Sequence, residues 1–317
     1  MILPSASQII ALQSDGIIEI MQVYLNGRIV DSKEAVVSVF DHGFLYGDGV
    51  YETMRVYDGV VFMLDQHIGR LFRSASLIGL SIPFDIDQLK IAIYETLIAN
   101  ALRKAYVRLT VSRGRGPIGL DPDLCVEPTV VIVAQELKEY PGSFYKNGIN
   151  ITISETKRNI REAIDPRIKS LNFLNNILAK IEAKKKGAYE AVMLNVNGHL
   201  AEGTISNLFF HKDDVLCTPS AECGILDGIT RGVVIELARR EGISVNEGKF
   251  TNKDIYSAEE VFLTNTSMEV MPVSKIDDRA YAVGNMAKLL RGLYREEVKA
   301  YISDAKSEGP SLWGENE

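Results

Sequence analysis

Between residues 189 and 218 the chain places four short apolar segments, 189–194, 199–202, 207–211 and 215–218, separated by gaps of only three or four residues. That spacing constrains the fold more than any other feature. A parallel crossover needs a dozen or more residues, whereas antiparallel neighbours are joined by tight turns. The segments therefore read as strands joined by hairpin-like turns. With the helical stretches around them, the order is mixed α and β with many hairpins, hence α+β and not a doubly wound sheet.

The rest of the chain follows the same logic. Strands at 22–25 and 28–30 flank Asn26-Gly27, the dipeptide suited to a type I′ turn. Residues 34–40 continue as strand. The stretch 41–49 holds three glycines and reads as a tight, backbone-rich turn, followed by a strand over 50–57. Asp65 is placed to cap a helix in which Ile68, Leu71, Phe72, Ala75 and Ile78 recur at helical spacing, and a second helix spans about 85–102. Residues 105–112 alternate, Val107, Leu109 and Val111 on one face and Tyr106, Arg108, Thr110 and Ser112 on the other. That polar face suits solvent or the wall of a pocket. A continuous apolar strand spans 129–134.

Residues 135–148, with Pro-Gly at 141–142, read as a linker. Beyond a strand at 151–154, Leu174, Ile177, Leu178 and Ile181 mark a helix ending at Gly187. Thr230 caps a helix to about 240, residues 260–264 form a strand, and a last helix covers about 285–301. The organisation expected is an extension over 1–20, a small α/β domain over 21–134, the linker, a large α/β domain over 149–301, and a polar tail over 302–317.

Composition narrows the function. Of 317 residues 46% are hydrophobic and 24% charged, so the chain can bury a core, and its length favours two domains. The net charge of −7 and a single basic run, Lys184-Lys185-Lys186, argue against nucleic acid. Three cysteines and four histidines, scattered without ligand spacing, suggest no metal site. Residues 1–20 lack a basic n-region, and no apolar run approaches the roughly 20 residues a membrane span needs. The expectation is a cytoplasmic protein.

Several residues carry possible chemistry. Lys169, in Asp165-Pro-Arg-Ile-Lys-Ser-Leu-Asn172, has apolar neighbours that suit a Schiff-base amine, yet it is one lysine among many. Glu202 lies between two strands, facing inward to a protonated ring nitrogen or outward on a hairpin. Gly228-Ile-Thr-Arg231 and Thr264-Asn-Thr-Ser267 are loop-to-element junctions rich in N–H groups and hydroxyls, the materials of a phosphate cradle. For Thr230 a plain helix cap is the alternative. Arg70, near His67 on its helix and off the apolar face, suits solvent.

As a set these segments are more specific. Glu202-x-Thr204-x-x-Asn207-Leu-Phe209, Leu216-Cys-Thr218 and Leu226-Asp-Gly228-Ile-Thr-Arg231 resemble the signature of the class IV (fold-type IV) pyridoxal-5′-phosphate enzymes. The similarity runs from about residue 23 to 290 and includes Tyr46-Gly-Asp-Gly49, His67-x-x-Arg70 and Ile168-Lys-Ser-Leu-Asn172. The resemblance implies a two-domain fold with the cofactor, pyridoxal 5′-phosphate, at the domain interface. It implies Lys169 as the catalytic residue, forming the internal aldimine. Arg70, the Ile229 and Thr230 amides and Thr266 would hold the phosphate, Glu202 would pair with the pyridine nitrogen, and Asn207 would support the ring.

Within the family the chain is most similar to prokaryotic branched-chain aminotransferases, through Tyr46, Tyr51, Tyr106-x-Arg108, 111–114 and 119–122. This implies transamination of leucine, isoleucine or valine with 2-oxoglutarate. Tyr46, Tyr51, Arg108 and Ser267 would contact the substrate, and a homodimer or higher oligomer would have one subunit's loop closing its neighbour's site. Tyr51-Glu-Thr-Met-Arg55 and Thr264-Asn265…Met271-Pro-Val273 are similar to 4-amino-4-deoxychorismate lyases, which release pyruvate and 4-aminobenzoate. The Ile-Lys-Ser-Leu-Asn spacing is also found in D-amino-acid aminotransferases. Phe173 stands where branched-chain enzymes commonly carry a tyrosine near the cofactor hydroxyl.

Overall fold

The structure, a computed structural model, describes residues 21–308; the expected extension over 1–20 and the end of the polar tail lie outside them. The described residues divide into two compact units, one of residues 21–137 with 305–308, the other spanning Lys138–Asp304.

The first unit is a six-stranded sheet. Its strands are β1 (Gln22–Leu25), β2 (Arg28–Asp31), β3 (Gly49–Tyr57), β4 (Val60–Val61), β5 (Ala105–Ser112) and β6 (Thr129–Glu136), in the order β2-β1-β6-β5-β3-β4, all antiparallel. Asn26 and Gly27 both take positive φ, 48° and 92°, as the type I′ turn requires. Among the described residues three α-helices belong here: α1 (His42–Tyr46), α2 (Leu64–Leu77) and α3 (Ile86–Ala99). One face of β3, β5 and β6 sends Val50, Met54, Val107, Leu109, Val111 and Ile132 into the core with Ile68, Leu71, Leu89, Ile93 and Leu97 of α2 and α3. Each such side chain contributes roughly 1.5–3 kcal/mol on burial.

Three expectations for this unit need correction. Residues 34–40 form no strand; Val36, Val37, Val39 and Phe40 are exposed and make turns and loop. The glycine-rich 41–49 stretch is not only a turn. Asp41 accepts the Gly43 N–H at 2.7 Å and caps α1, which Gly47 ends at φ 71°. Asp65 does not cap α2 but sits in its first turn, behind Met63 at φ 55°. The helix expected from about 85 is α3, where Asp85 is the cap and closes a reciprocal bond with Gln88.

The second unit is a nine-stranded mixed sheet. Its strands are β7 (Ile149–Ile153), β8 (Glu190–Leu194), β9 (Leu200–Gly203), β10 (Asn207–Lys212), β11 (Val215–Pro219), β12 (Ser244–Gly248), β13 (Glu260–Asn265), β14 (Glu269–Ile276) and β15 (Arg279–Ala280). The order is β12-β11-β10-β13-β14-β7-β8-β9, with β15 on β14. The four segments that set the fold class are all strands, but β10 pairs with β13 and β11, not with β9. Helices α4 (Gly142–Asn147), α5 (Leu174–Lys185), α6 (Ile229–Arg240), α7 (Asn252–Tyr256) and α8 (Asn285–Glu308) complete the set. The 135–148 segment thus contains a helix, and the last helix runs on to Glu308 instead of stopping near 301.

The clearest reversal concerns α5. Leu174 is 63% exposed, and Ile177, Leu178 and Ile181 are exposed with it. The buried side is carried by Ala179 and Ala183, which pack against Ala191 and Met193 of β8, and by Asn176. Alanines let the helix sit close to the strand, so the large aliphatic stripe turns outward.

Candidate active site

In the first unit the decisive residue is Glu52. It stands among the inward residues of β3 and is fully buried. Arg70 grips it with two bonds, Nε to Oε1 at 2.6 Å and Nη2 to Oε2 at 2.8 Å, and His67 Nδ1 lies 2.7 Å from Oε2. Burial alone would push the carboxyl up, but Arg70 and His67 hold it well below the ordinary range. Arg70 is therefore buried and oriented, and the solvated reading of this residue is wrong.

On the opposite face of the same strands, Tyr51 is buried and the Arg108 guanidinium lies 3.9 Å from its ring centroid. Burial pushes the Tyr51 phenol up to about 12, with Arg108 pulling against it. Tyr106 is likewise raised by burial. Tyr106, Arg108 and Thr110 are half-buried, between the two expectations for this face. Tyr46 ends α1, and its hydroxyl accepts the Gly119 N–H at 3.2 Å.

In the second unit Glu202 is at the centre, buried on β9. Its carboxylate faces inward rather than outward on a hairpin. Oε1 accepts from Arg158 Nε at 2.8 Å; Oε2 accepts from the Leu226 N–H at 2.9 Å and Asn207 Nδ2 at 3.4 Å. Burial pushes this carboxyl up, opposed by Arg158, the Leu226 amide and the charge of Lys169. Lys169 thus lies within electrostatic reach of Glu202, half-buried in the segment before α5.

Asn207 joins the parts. Its amide also donates to Leu226 O at 2.9 Å, and it faces Thr264 across the β10–β13 ladder. A Cβ on Gly228 would fall 1.9 Å from Asn207 Oδ1. Gly228, not Thr230, is the N-cap of α6, and no side chain caps that end; Thr230 is buried one position inside Ile229. The glycine is needed for close approach. Gly228→Ala is expected to destabilise by about 1–3 kcal/mol. Gly232→Ala, in open space on the same helix, should be neutral or stabilising. Urea unfolding of both variants checks the pair, and equal effects would refute the account.

Thr266 and Ser267 lie in the turn between β13 and β14, partly exposed. Asn265 shapes that turn, its Oδ1 accepting the Ser267 and Met268 N–H groups at 2.9 and 2.8 Å. Its Nδ2 donates to Ile205 O, in the turn that leads into Asn207.

The second unit therefore brings Glu202, Asn207 and the α6 terminus together, with Lys169 in range; Tyr51 and Arg108 are joined in the first unit. Arg158 escaped the sequence reading as a site residue, since it sits in no spacing pattern. Glu52 was legible in principle, as a charge on the inward face of an apolar strand.

The residues present fit pyridoxal phosphate. An uncapped helix N-terminus suits a phosphate. Ser206 Oγ and Thr264 Oγ1, beside and across from Asn207, are buried without a hydrogen-bond partner. Glu202 retains acceptor capacity on Oε1, the oxygen with a single donor. Among the described residues no group of three or more His, Cys, Asp and Glu could hold a metal ion, and no helix is long and apolar enough to cross a membrane.

The sequence matches the family model for amino-transferase class IV over residues 49–276. The chain belongs to that family. It is accordingly an aminotransferase-family enzyme, and its two α+β units carry the family's fold. A Methanocaldococcus jannaschii protein whose name provisionally calls it a branched-chain-amino-acid aminotransferase is 46% identical over 279 residues, 87% of this chain and 96% of its own. The aminodeoxychorismate lyase of Bacillus subtilis is 37% identical, over 89% of this chain and 96% of its own. Among solved structures, the branched-chain aminotransferase of the thermophilic archaeon Thermoproteus uzoniensis, with norvaline, superposes with a TM-score of 0.84. It is 35% identical, covering 88% of this chain and 95% of that one.

Proposed function

We propose that this class IV enzyme uses pyridoxal 5′-phosphate to transaminate a branched-chain L-amino acid, with 2-oxoglutarate as acceptor. The observation that carries the cofactor assignment is the buried Glu202 carboxylate, fixed by Arg158, Leu226 and Asn207 beside an uncapped helix terminus. The branched-chain substrate is supported by the 46% identical archaeal relative and by the Thermoproteus uzoniensis aminotransferase.

When bound, the cofactor supplies an electron sink that stabilises a carbanion at the substrate α-carbon. The chain's residues do the rest. In the second unit the Ile229 and Thr230 N–H groups and Thr266 would hold the phosphate; in the first, Glu52 keeps the Arg70 fork oriented. Glu202 holds a proton on the ring nitrogen, and Asn207 keeps Glu202 in place. Lys169 would anchor the cofactor, and its neutral Nζ would take the α-proton. Tyr46, Tyr51 and Arg108 are the first unit's candidates for contact with the substrate, and Ser267 is the second unit's.

The chain acts as a homodimer or higher oligomer, in the cytoplasm. The exposed stripe on α5 and the exposed Val36, Val37, Val39, Phe40 and Ile118 support the oligomer, because large unpaired apolar surface favours association.

The first test uses L-leucine alone. Added to the purified enzyme without a 2-oxo acid, it is expected to convert the visible band of bound pyridoxal phosphate to that of pyridoxamine phosphate. An unchanged band would overturn the branched-chain reading. The second reading is aminodeoxychorismate lyase, favoured by the Tyr51-Glu-Thr-Met-Arg55 and Thr264-Asn265…Met271-Pro-Val273 runs and by the Bacillus subtilis relative. Under it, aminodeoxychorismate would yield pyruvate with no 2-oxo acid present.

A further inference from the structure

Arg158 reaches Glu202 from a segment outside any strand or helix, and that segment is pinned by one face of α5. Glu182 accepts from Ser154 Oγ at 2.8 Å, the Glu155 N–H at 2.7 Å, the Thr156 N–H at 3.1 Å, and the Thr156 hydroxyl. Asn175 Nδ2 donates to Lys157 O at 2.7 Å, and its Oδ1 lies 3.4 Å from Arg158 Nη1.

Asn176 goes further, because it touches both sides of the site. It is 5% exposed. Its Oδ1 accepts from Arg158 Nη1 at 3.5 Å, and its Nδ2 donates to Thr204 O at 2.7 Å. Arginine only donates and a carbonyl only accepts, so the amide orientation is unambiguous. Thr204 lies in the turn between the strand of Glu202 and the strand of Asn207. That turn is itself anchored: the Thr204 hydroxyl donates to buried Glu190 Oε1 at 2.6 Å and its N–H at 3.3 Å.

We propose that Asn176 is a positioning residue for the cofactor's ring nitrogen: by tying Arg158 to the Thr204 turn, it holds the Glu202 carboxylate in one orientation. The inference rests on the cofactor reading above. Among the described residues Oε2 of Glu202 takes two donors and Oε1 takes Arg158 Nε, so Oε1 keeps the capacity that would accept a ring N–H. Where Arg158 sits therefore decides where that acceptor lobe points. An arginine side chain left to itself samples many rotamers. A buried amide with one donor and one acceptor in fixed geometry removes that freedom, and leucine of similar size cannot.

The test compares the wild type with Asn176→Leu in two ways that do not need turnover. Titrating the cofactor-free protein with pyridoxal phosphate is expected to show weaker binding for the variant, by up to about tenfold, because Arg158 no longer holds the Glu202 acceptor in place. A pH titration of the bound cofactor's visible band is expected to shift its midpoint, because Glu202 no longer holds the ring proton in the same geometry. Asn176→Ser, too short to span Arg158 and Thr204, carries the same expectation if the leucine variant does not accumulate folded. A variant that only loses thermal stability, with affinity and midpoint unchanged, would overturn the proposal. A wild type that takes up no pyridoxal phosphate would remove the cofactor reading itself, and this proposal with it.

Discussion

Lys169→Ala is expected to lower kcat by about 10⁴-fold or more, since it deletes the anchoring amine and the general base together. The fold should survive. Lys169 is half-buried in the segment before α5 and lies in neither a helix nor a strand, so its loss leaves no core cavity. Pyridoxal phosphate should still bind, more weakly, because Glu202 and the uncapped end of α6 remain in place. Two observations test the role beyond lost activity. Far-ultraviolet circular dichroism and urea unfolding should match the wild type, and added methylamine should restore part of the turnover by supplying a neutral amine. Near-normal turnover in the variant would overturn the assignment of Lys169, whatever the substrate.

The four strands between 189 and 218, the Asn26-Gly27 turn and the start of α3 near Asp85 were legible in the sequence because each rests on local chemistry that tertiary context does not reverse. Helix α5 shows the limit. Its period of Leu174, Ile177, Leu178 and Ile181 is a sound helical signal, and the helix exists, but periodicity cannot say which face meets the sheet. Here small residues won, because Ala179 and Ala183 allow closer packing on β8. Strand signal failed at 34–40 for a related reason: a valine-rich stretch needs a partner strand, and among the described residues none pairs with it. The site divides likewise. Glu202, Asn207 and Gly228 fall within one compact run, whereas Arg158 comes from a separate segment and meets Glu202 only in the folded unit. A long-range ion pair leaves no spacing to read.

Glu52→Ala is expected to cost about 3–5 kcal/mol of stability, the effect of leaving a buried arginine uncompensated. Arg70 is 5% exposed and spends Nε and Nη2 on this one carboxylate. Replacing both residues, as Glu52→Met with Arg70→Met, should recover most of the loss, since a well-packed apolar pair needs no desolvated charge. The pH dependence follows from the sign of the shift. The Glu52 carboxyl is depressed in the folded protein, so its contribution is fully present above the unfolded value, roughly 4.3. It is lost as pH falls below that through the lower folded value, when protonation breaks the pair with Arg70. Urea unfolding at pH 7 and pH 3 should therefore show the gap between wild type and Glu52→Ala narrowing in acid. A gap that stays constant over this window would mean that Glu52 contributes by packing alone. A loss under about 1 kcal/mol at pH 7 would mean that Arg70 finds another partner, and that Glu52 does not orient it.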